Sequence, residues 1–269
     1  MSRFKTMSNA DIISMCEKYN DECFDKKESL ADVQAYIASM VQEAAKEHAH
    51  RQSGAGIKTT KLWQDFYAYV SPTNSKVTGK AIRKHIRKRI EEEQRYQCCY
   101  CRRPLMNNAH AKPIEHILPH SVFVQHTFDI RNLSIACVDC NSKKTDNVWM
   151  SNQARYRQPR HYPPATAFSD MYHPRFHRYD EHVTFFRVQS NTHCISIYTG
   201  LTEQGKNLCK NLLTHISKLE IFVSANSDLK EHIEMIQGQD MHPGGAAEAA
   251  INAFKKAFQE ATEVILDEI

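Results

Sequence analysis

Two Cys-x-x-Cys pairs constrain this chain more than any other feature in it. Cys98 and Cys101 lie in "CCYC", and Cys137 and Cys140 lie in "CVDC". Each turn of this kind aims two sulfurs at one point, and two of them form the framework of a tetrahedral Zn2+ site. Four thiolates fill the coordination of the ion, so the expected zinc is structural. Residues 102–136 separate the pairs. A simple ribbon has only about 15–20 there, so a structural unit is expected between the two knuckles. Cys99 competes for a place in the site. A Cys99/Cys101 pair would have one intervening residue, a poorer chelate turn, and Cys98 is preferred.

Compartment decides whether such cysteines mean metal or disulfide. The start, "MSRFKTMSNADIISMCEKYNDECF", lacks the apolar stretch of a signal peptide. No apolar run reaches the roughly 18 residues of a membrane span. A cytoplasmic protein that does not contact membrane is therefore expected, with thiols kept reduced and the cluster reserved for metal. Cys16, Cys23, Cys194 and Cys209 are scattered and read as buried small hydrophobes.

The remaining sequence reads as helical before the cysteine region and mixed after it. Residues 1–95 form a helical N-terminal region. "SNADIISMCEKYN" has a cap at Ser8 or Asn9. "ESLADVQAYIASMVQEAAKEHAHRQ" sets Leu30, Val33, Ile37, Met40, Val41 and Ala44 at helical spacing. "KLWQDFYAYV" reads as a short helix on the core. From Gly79 another helix lines up Ile82, Ile86 and Ile90, with Arg83, Lys84, Arg87 and Lys88 on its other faces. Those cations are either a solvated face or a phosphate-contact surface. Net charge is only +4, so any nucleic-acid binding must come from such local clusters. After residue 150 come an irregular Pro/Tyr/His/Arg-rich loop and two strands, "HVTFFRV" and "HCISIYT", joined through "QSNT". A helix capped by Thr202 follows. "HPGG" breaks it, and "AAEAAINAFKKAFQEATEVILDEI" reads as a final helix.

Between and after the knuckles stand Glu115 and His116 in "IEHILPHS", Asn132 in "RNLSIAC", and Asn141, Lys143 and Lys144 in "CNSKK". Taken singly these are ordinary: a partly buried histidine, turn or cap asparagines, surface lysines. Taken in order, "CCYC…IEHILPHS…RNLSIACVDCNSKK" resembles the HNH endonucleases, whose active site is a ββα-metal unit, in their zinc-stapled form. The resemblance covers residues 96–146. It implies an α+β chain: a mainly α-helical body, a central zinc-stapled ββα-metal nuclease unit at 96–150, and a C-terminal accessory region at 151–269 with a small β-hairpin plus helices.

The resemblance also implies roles. His116 would be the general base at the end of the first strand. Glu115 and Asn141 would hold a catalytic divalent cation, Mg2+ or similar, with Asn141 beginning the helix. Asn132 would brace the loop that orients His116. Lys144, and more weakly Lys143, would contact phosphate. Many members carry Asp where this chain has Glu115, and some have His where it has Asn141. The implied activity is hydrolysis of DNA phosphodiesters through backbone contacts. A second, looser resemblance, in "MYHPRFHRYDEHVTFF" and "GLTEQGKNLCKNLL", is to the nucleases of Septu-type and retron-linked anti-phage systems, which implies a defence role and an ATPase partner. The alternative is a non-catalytic zinc module that binds nucleic acid or protein. The trio Glu115, His116 and Asn141 separates the two, because a pure zinc module has no use for it.

Overall fold

Amphipathic helices begin the computed structural model, which describes residues 29–57, 61–105, 112–189 and 194–223, together with 10, 14, 17 and 18. Helix α1 spans Leu30–Gln52 and buries Val33, Ile37, Met40 and Ala44, as their spacing requires. Val41, one residue off that stripe, is exposed. The short helix α2, Leu62–Ala68, buries Leu62 and Phe66. Helix α3, Gly79–Glu93, starts at Thr78, whose hydroxyl accepts from the Ala81 amide, and buries Ile82, Ile86 and Ile90. Gly79 is needed where it stands: a Cβ there would lie 1.6 Å from the Phe66 carbonyl oxygen. Without a side chain at that point, α3 can start directly against the backbone of α2.

The central unit is small. Strand β1, Ile114–His116, pairs antiparallel with β2, Leu133–Ile135, in the register Glu115↔Ser134 and His116↔Leu133. Helix α4, Val138–Lys144, follows at once. This is the ββα order that the resemblance implied. Gln94, just past α3, ties that helix to the hairpin: its amide nitrogen donates to the Ile135 carbonyl, and its amide oxygen accepts from the Ile135 amide, both at 2.8 Å. The loop after α4 stays irregular apart from short 3-10 turns. It nevertheless brings Met150, Tyr162, Phe168, Met171 and Phe176 into one core with Ile117, Leu118 and Phe123 of the central unit.

The chain parts into two compact units at Arg178/Tyr179. Contacts of Gln94 and of the aromatic loop residues run across the expected boundaries at 95/96 and 150/151. In the second unit, α5 (Tyr179–His182) leads into β3 (Val183–Gln189), which pairs antiparallel with β4 (Cys194–Gly200). Thr202 caps α6 (Glu203–Leu208) by accepting from the Gly205 amide. A π-helical segment, Cys209–Leu213, continues into α7 (Thr214–Val223). Leu208, Leu212, Leu213 and Ile216 are buried, and the Ser217 hydroxyl donates to the Ser196 carbonyl of β4 at 2.8 Å. The α+β class therefore holds, with mixed helix and two small antiparallel sheets. No described helix is long and apolar enough to cross a membrane. The helices expected around Ser8 and over 246–269, and the turn "QSNT", lie outside the described residues or at their edge.

Candidate active site and metal centre

Cys98, Cys101, Cys137 and Cys140 bring their sulfurs within 4.8 Å of one another, the one such His/Cys/Asp/Glu cluster among the described residues. The Cys101 and Cys137 sulfurs are 3.7 Å apart. A tetrahedron with Zn–S legs of about 2.3 Å has edges of about 3.8 Å, so the four thiols fit a structural zinc. Cys99 stays outside the cluster, its amide donating to the Ile135 carbonyl at 3.0 Å. Arg103, which the sequence did not single out, lies across the cluster. Its guanidinium donates to the Cys101 and Cys137 sulfurs, each at 3.3 Å, and to Asp139. Hydrogen bonds from Cys101, Cys140 and Cys98 hold the Cys137 thiol well below its ordinary pKa, while burial pushes Cys98 and Cys101 up. Charged donors beside thiolates offset part of the negative charge that four ligands would otherwise concentrate.

The last knuckle is also the start of α4. Cys137 is its N-cap, its sulfur accepting from the Cys140 amide. Asn141, expected to begin the helix, is instead its fourth residue, because the knuckle itself occupies the capping position. Its side chain is half-buried and has no hydrogen-bond partner among the described residues.

His116 ends β1 with its ring buried. Its Nε2 lies 3.0 Å from the Thr127 carbonyl oxygen. A carbonyl only accepts, so Nε2 carries the proton and Nδ1 keeps its lone pair. Burial lowers the His116 pKa to about 3, helped by His120 and Lys144 and opposed by the Thr127 bond. The imidazole is thus neutral, with its free lone pair on Nδ1. Trp63 of α2 meets it edge to face at 4.8 Å between ring centroids, and the exposed His120 does the same from the following loop.

Asn132 is fully buried and every polar atom of its amide is used. Its nitrogen donates to the Leu118 and His126 carbonyls at 2.9 and 3.1 Å. Its oxygen accepts from the Leu118 amide at 2.7 Å and from the Tyr162 hydroxyl at 3.1 Å. The expected loop brace therefore exists as geometry. The structure adds a second layer: His173 lies 2.8 Å from the Tyr162 hydroxyl through Nε2 and accepts from the Arg175 amide through Nδ1. Since Tyr162 gives its proton to Asn132, His173 must be the Nε2–H tautomer.

Glu115 points to the other side of β1. It is buried, and the Lys144 ammonium and the Tyr100 hydroxyl both meet its Oε1, at 2.6 and 3.1 Å. Among the described residues Oε2 has no hydrogen bond. Burial raises the Glu115 pKa, and Lys144 and Tyr100 pull it back. Lys144 is itself fully buried and also donates to the His116 carbonyl at 3.1 Å. Lys144, expected to contact phosphate, is here buried against Glu115. Its position puts it on the inner face of α4, where it neutralises Glu115; Lys143, next to it, faces solvent. Oε2 of Glu115 and the amide oxygen of Asn141 are hard oxygen donors, the kind that suits a hard divalent cation such as Mg2+.

Arg83, Lys84, Arg87 and Lys88 make no ion pair among the described residues, and Lys84 and Lys88 are exposed. The acidic end of α3 is paired: Glu91 with Lys112 at 3.2 Å and Glu93 with Arg175 at 2.7 Å.

Three buried histidines make the unit acid-sensitive. Burial lowers His116 to about 3, His126 to about 4 and His173 well below its ordinary value. Unfolded, each would titrate near 6.5. Below that pH the unfolded chain binds more protons, so stability is fully present above about 6.5 and is lost as pH falls toward the folded values. Between pH 7 and 5.5 each histidine contributes a loss of about 1.3 kcal/mol, on the order of 4 kcal/mol together. Glu115, raised in the fold, offsets part of this. Urea unfolding at the two pH values should show the drop. Equal midpoints would mean that these rings are charged in the fold or already exposed.

The family model described as HNH endonuclease matches residues 98–147. Comparison with curated proteins returned no match, and neither did comparison with solved structures. The matched stretch contains the four clustered cysteines, Glu115, His116, Asn132, Asn141 and Lys144. Trp63, which meets His116, and Tyr162, which bonds to Asn132, lie outside it, as does His173 behind Tyr162.

Proposed function

We propose that this chain, which carries an HNH endonuclease domain over residues 98–147, is a metal-dependent endonuclease that hydrolyses DNA phosphodiester bonds. The observation that carries the reading is the placement of His116: buried, neutral, and fixed through Nε2 to the Thr127 carbonyl so that Nδ1 keeps the lone pair. A histidine held so takes the proton of an attacking water at Nδ1 as the water oxygen bonds to phosphorus and the ester oxygen leaves. Glu115 through Oε2 and Asn141 through its amide oxygen would hold the divalent cation. When bound, a cation such as Mg2+ supplies charge for the phosphate and leaving oxygens. Asn132 keeps the Leu118–His126 loop in place, so Thr127 holds the imidazole at one angle. Lys144 fixes both the Glu115 carboxylate and the His116 backbone.

Purified protein should nick or linearise plasmid with Mg2+, stop with EDTA and resume with excess Mg2+. His116→Ala should lower the rate by about 10²–10⁴, the usual contribution of a general base. Equal rates for the wild type and His116→Ala would remove His116 from the chemistry. The finer reading adds anti-phage defence under an ATPase partner. It is supported by the resemblance of residues 171–186 and 200–213 alone. Co-purification of the chain with such an ATPase when the two are expressed together tests it, and separate elution would count against it.

A further inference from the structure

A line of aromatic and cationic side chains runs from His116 outward over helices that the HNH match does not include. It begins at Trp63, half-buried on α2 and edge to face with His116. One helical turn on stands Tyr67, 42% exposed. The Arg83 guanidinium of α3 lies over the Tyr67 ring, 4.7 Å from its centroid. Arg87 is one turn further along α3. The absence of a side chain at Gly79 lets the two helices meet closely enough for this overlap.

The charges on α3 are arranged against its own helix dipole. Cations favour a helix C-terminus and acids an N-terminus. Here the first turn holds no acid and the last turn no base, with "GKAIRKHIRKR" leading and "EEE" trailing. The trailing acids have protein partners in Lys112 and Arg175. Arg83, Lys84, Arg87 and Lys88 have no ion pair among the described residues, and the buried Nε of Arg87 has no hydrogen-bond partner. An arrangement that costs the isolated helix stability, and leaves four cations without counter-charge, fits a polyanion laid along it.

We infer that Trp63, Tyr67, Arg83 and Arg87 form a track for a single-stranded stretch of the nucleic-acid substrate leading to the scissile phosphate at His116. The inference rests on the nuclease reading and specifies its substrate. Aromatic side chains alternating with cations bind single strands by stacking unpaired bases and following the backbone. In a duplex the base faces are already stacked on one another, so the rings would contribute nothing. The substrate is therefore DNA that is unpaired beside the cut, as in a loop, flap or displaced strand.

Binding without turnover tests this apart from the nuclease reading. Full-length His116→Ala protein is titrated with a labelled oligothymidylate and with a duplex of the same length, without added Mg2+. Adding Tyr67→Leu should weaken single-strand binding at least about 5-fold, the low end for one lost base stack, and leave duplex binding unchanged. Tyr67→Phe, which keeps the ring, should retain it. Arg83→Gln with Arg87→Gln should lower the slope of log affinity against log salt by about 1.4, at roughly 0.7 per phosphate contact on a single strand. Tyr67 is exposed, so the variant should keep the wild-type circular dichroism, and the salt slope of the Arg83→Gln/Arg87→Gln protein decides if it does not. Unchanged single-strand affinity and slope, or an equal loss on duplex, would overturn the track. Absence of plasmid cleavage by the wild type would count against the nuclease reading and leave this comparison standing.

Discussion

Removing zinc, or one of its ligands, should unfold the first compact unit. A chelator strong enough to strip the Cys98, Cys101, Cys137 and Cys140 cluster, or the single change Cys137→Ser, should abolish its cooperative thermal transition. The reason lies in how little else holds the knuckles. The central sheet has two strands of three residues each, and a hairpin of that size is marginal alone. Cys137 is both a member of the cluster and the N-cap of α4, so the change removes a ligand and alters the cap that sets the direction of Asn141 and Lys144. Structural zinc contributes about 10–16 kcal/mol of apparent binding energy in small zinc modules, more than the about 5–15 kcal/mol by which whole domains are stable. Metal content by mass spectrometry and melting by circular dichroism would decide it. One zinc lost with the melting curve unchanged would mean that the aromatic core suffices without the ion.

Lys144→Met should cost about 3–5 kcal/mol, the usual effect of stranding one partner of a buried ion pair. The Lys144 side chain is 0% exposed and that of Glu115 5%, so neither charge can turn to water. Besides unpairing Glu115, the change removes the donor to the His116 carbonyl, which loosens the end of β1. The double variant Lys144→Met/Glu115→Gln leaves no buried charge and should recover much of the loss. Urea unfolding of the wild type, of Lys144→Met, of Glu115→Gln and of the double variant measures the coupling directly. A single variant within about 0.5 kcal/mol of wild type, or a double variant no better than the single, would contradict a buried pair.

The fate of Lys144 also marks where the sequence stopped being readable. The cysteines, the strand carrying Glu115 and His116, the Asn132 brace and the helix after the last knuckle were all legible, because each depends on local spacing or on a fixed order along the chain. Helix stripes such as Ile82, Ile86 and Ile90 were legible for the same reason. Which way Lys144 faces was not, since it depends on Glu115 across the sheet–helix interface, and a lysine after an asparagine looks equally suited to phosphate. Trp63, Tyr162 and His173 were missed because they reach the site from distant stretches whose local sequences read as core aromatics and irregular loop. The only sequence sign was an unusual density of Tyr, His and Arg in 155–179. Composition changes at 95 and 150, yet Gln94 reaches Ile135 and Tyr162 reaches Asn132, contacts that no local stretch of sequence reveals.

Gln94 has one more consequence. A two-stranded ribbon exposes an unpaired peptide edge on each side, and such edges recruit strands from other molecules. Gln94 presents to Ile135 one donor and one acceptor, as a peptide group of a third strand would. Its amide also accepts from the Ser134 hydroxyl at 2.8 Å. Gln94, together with the Cys99 amide on the same carbonyl, thus occupies the outer edge of β2 at Ile135, where a strand from another molecule would otherwise pair.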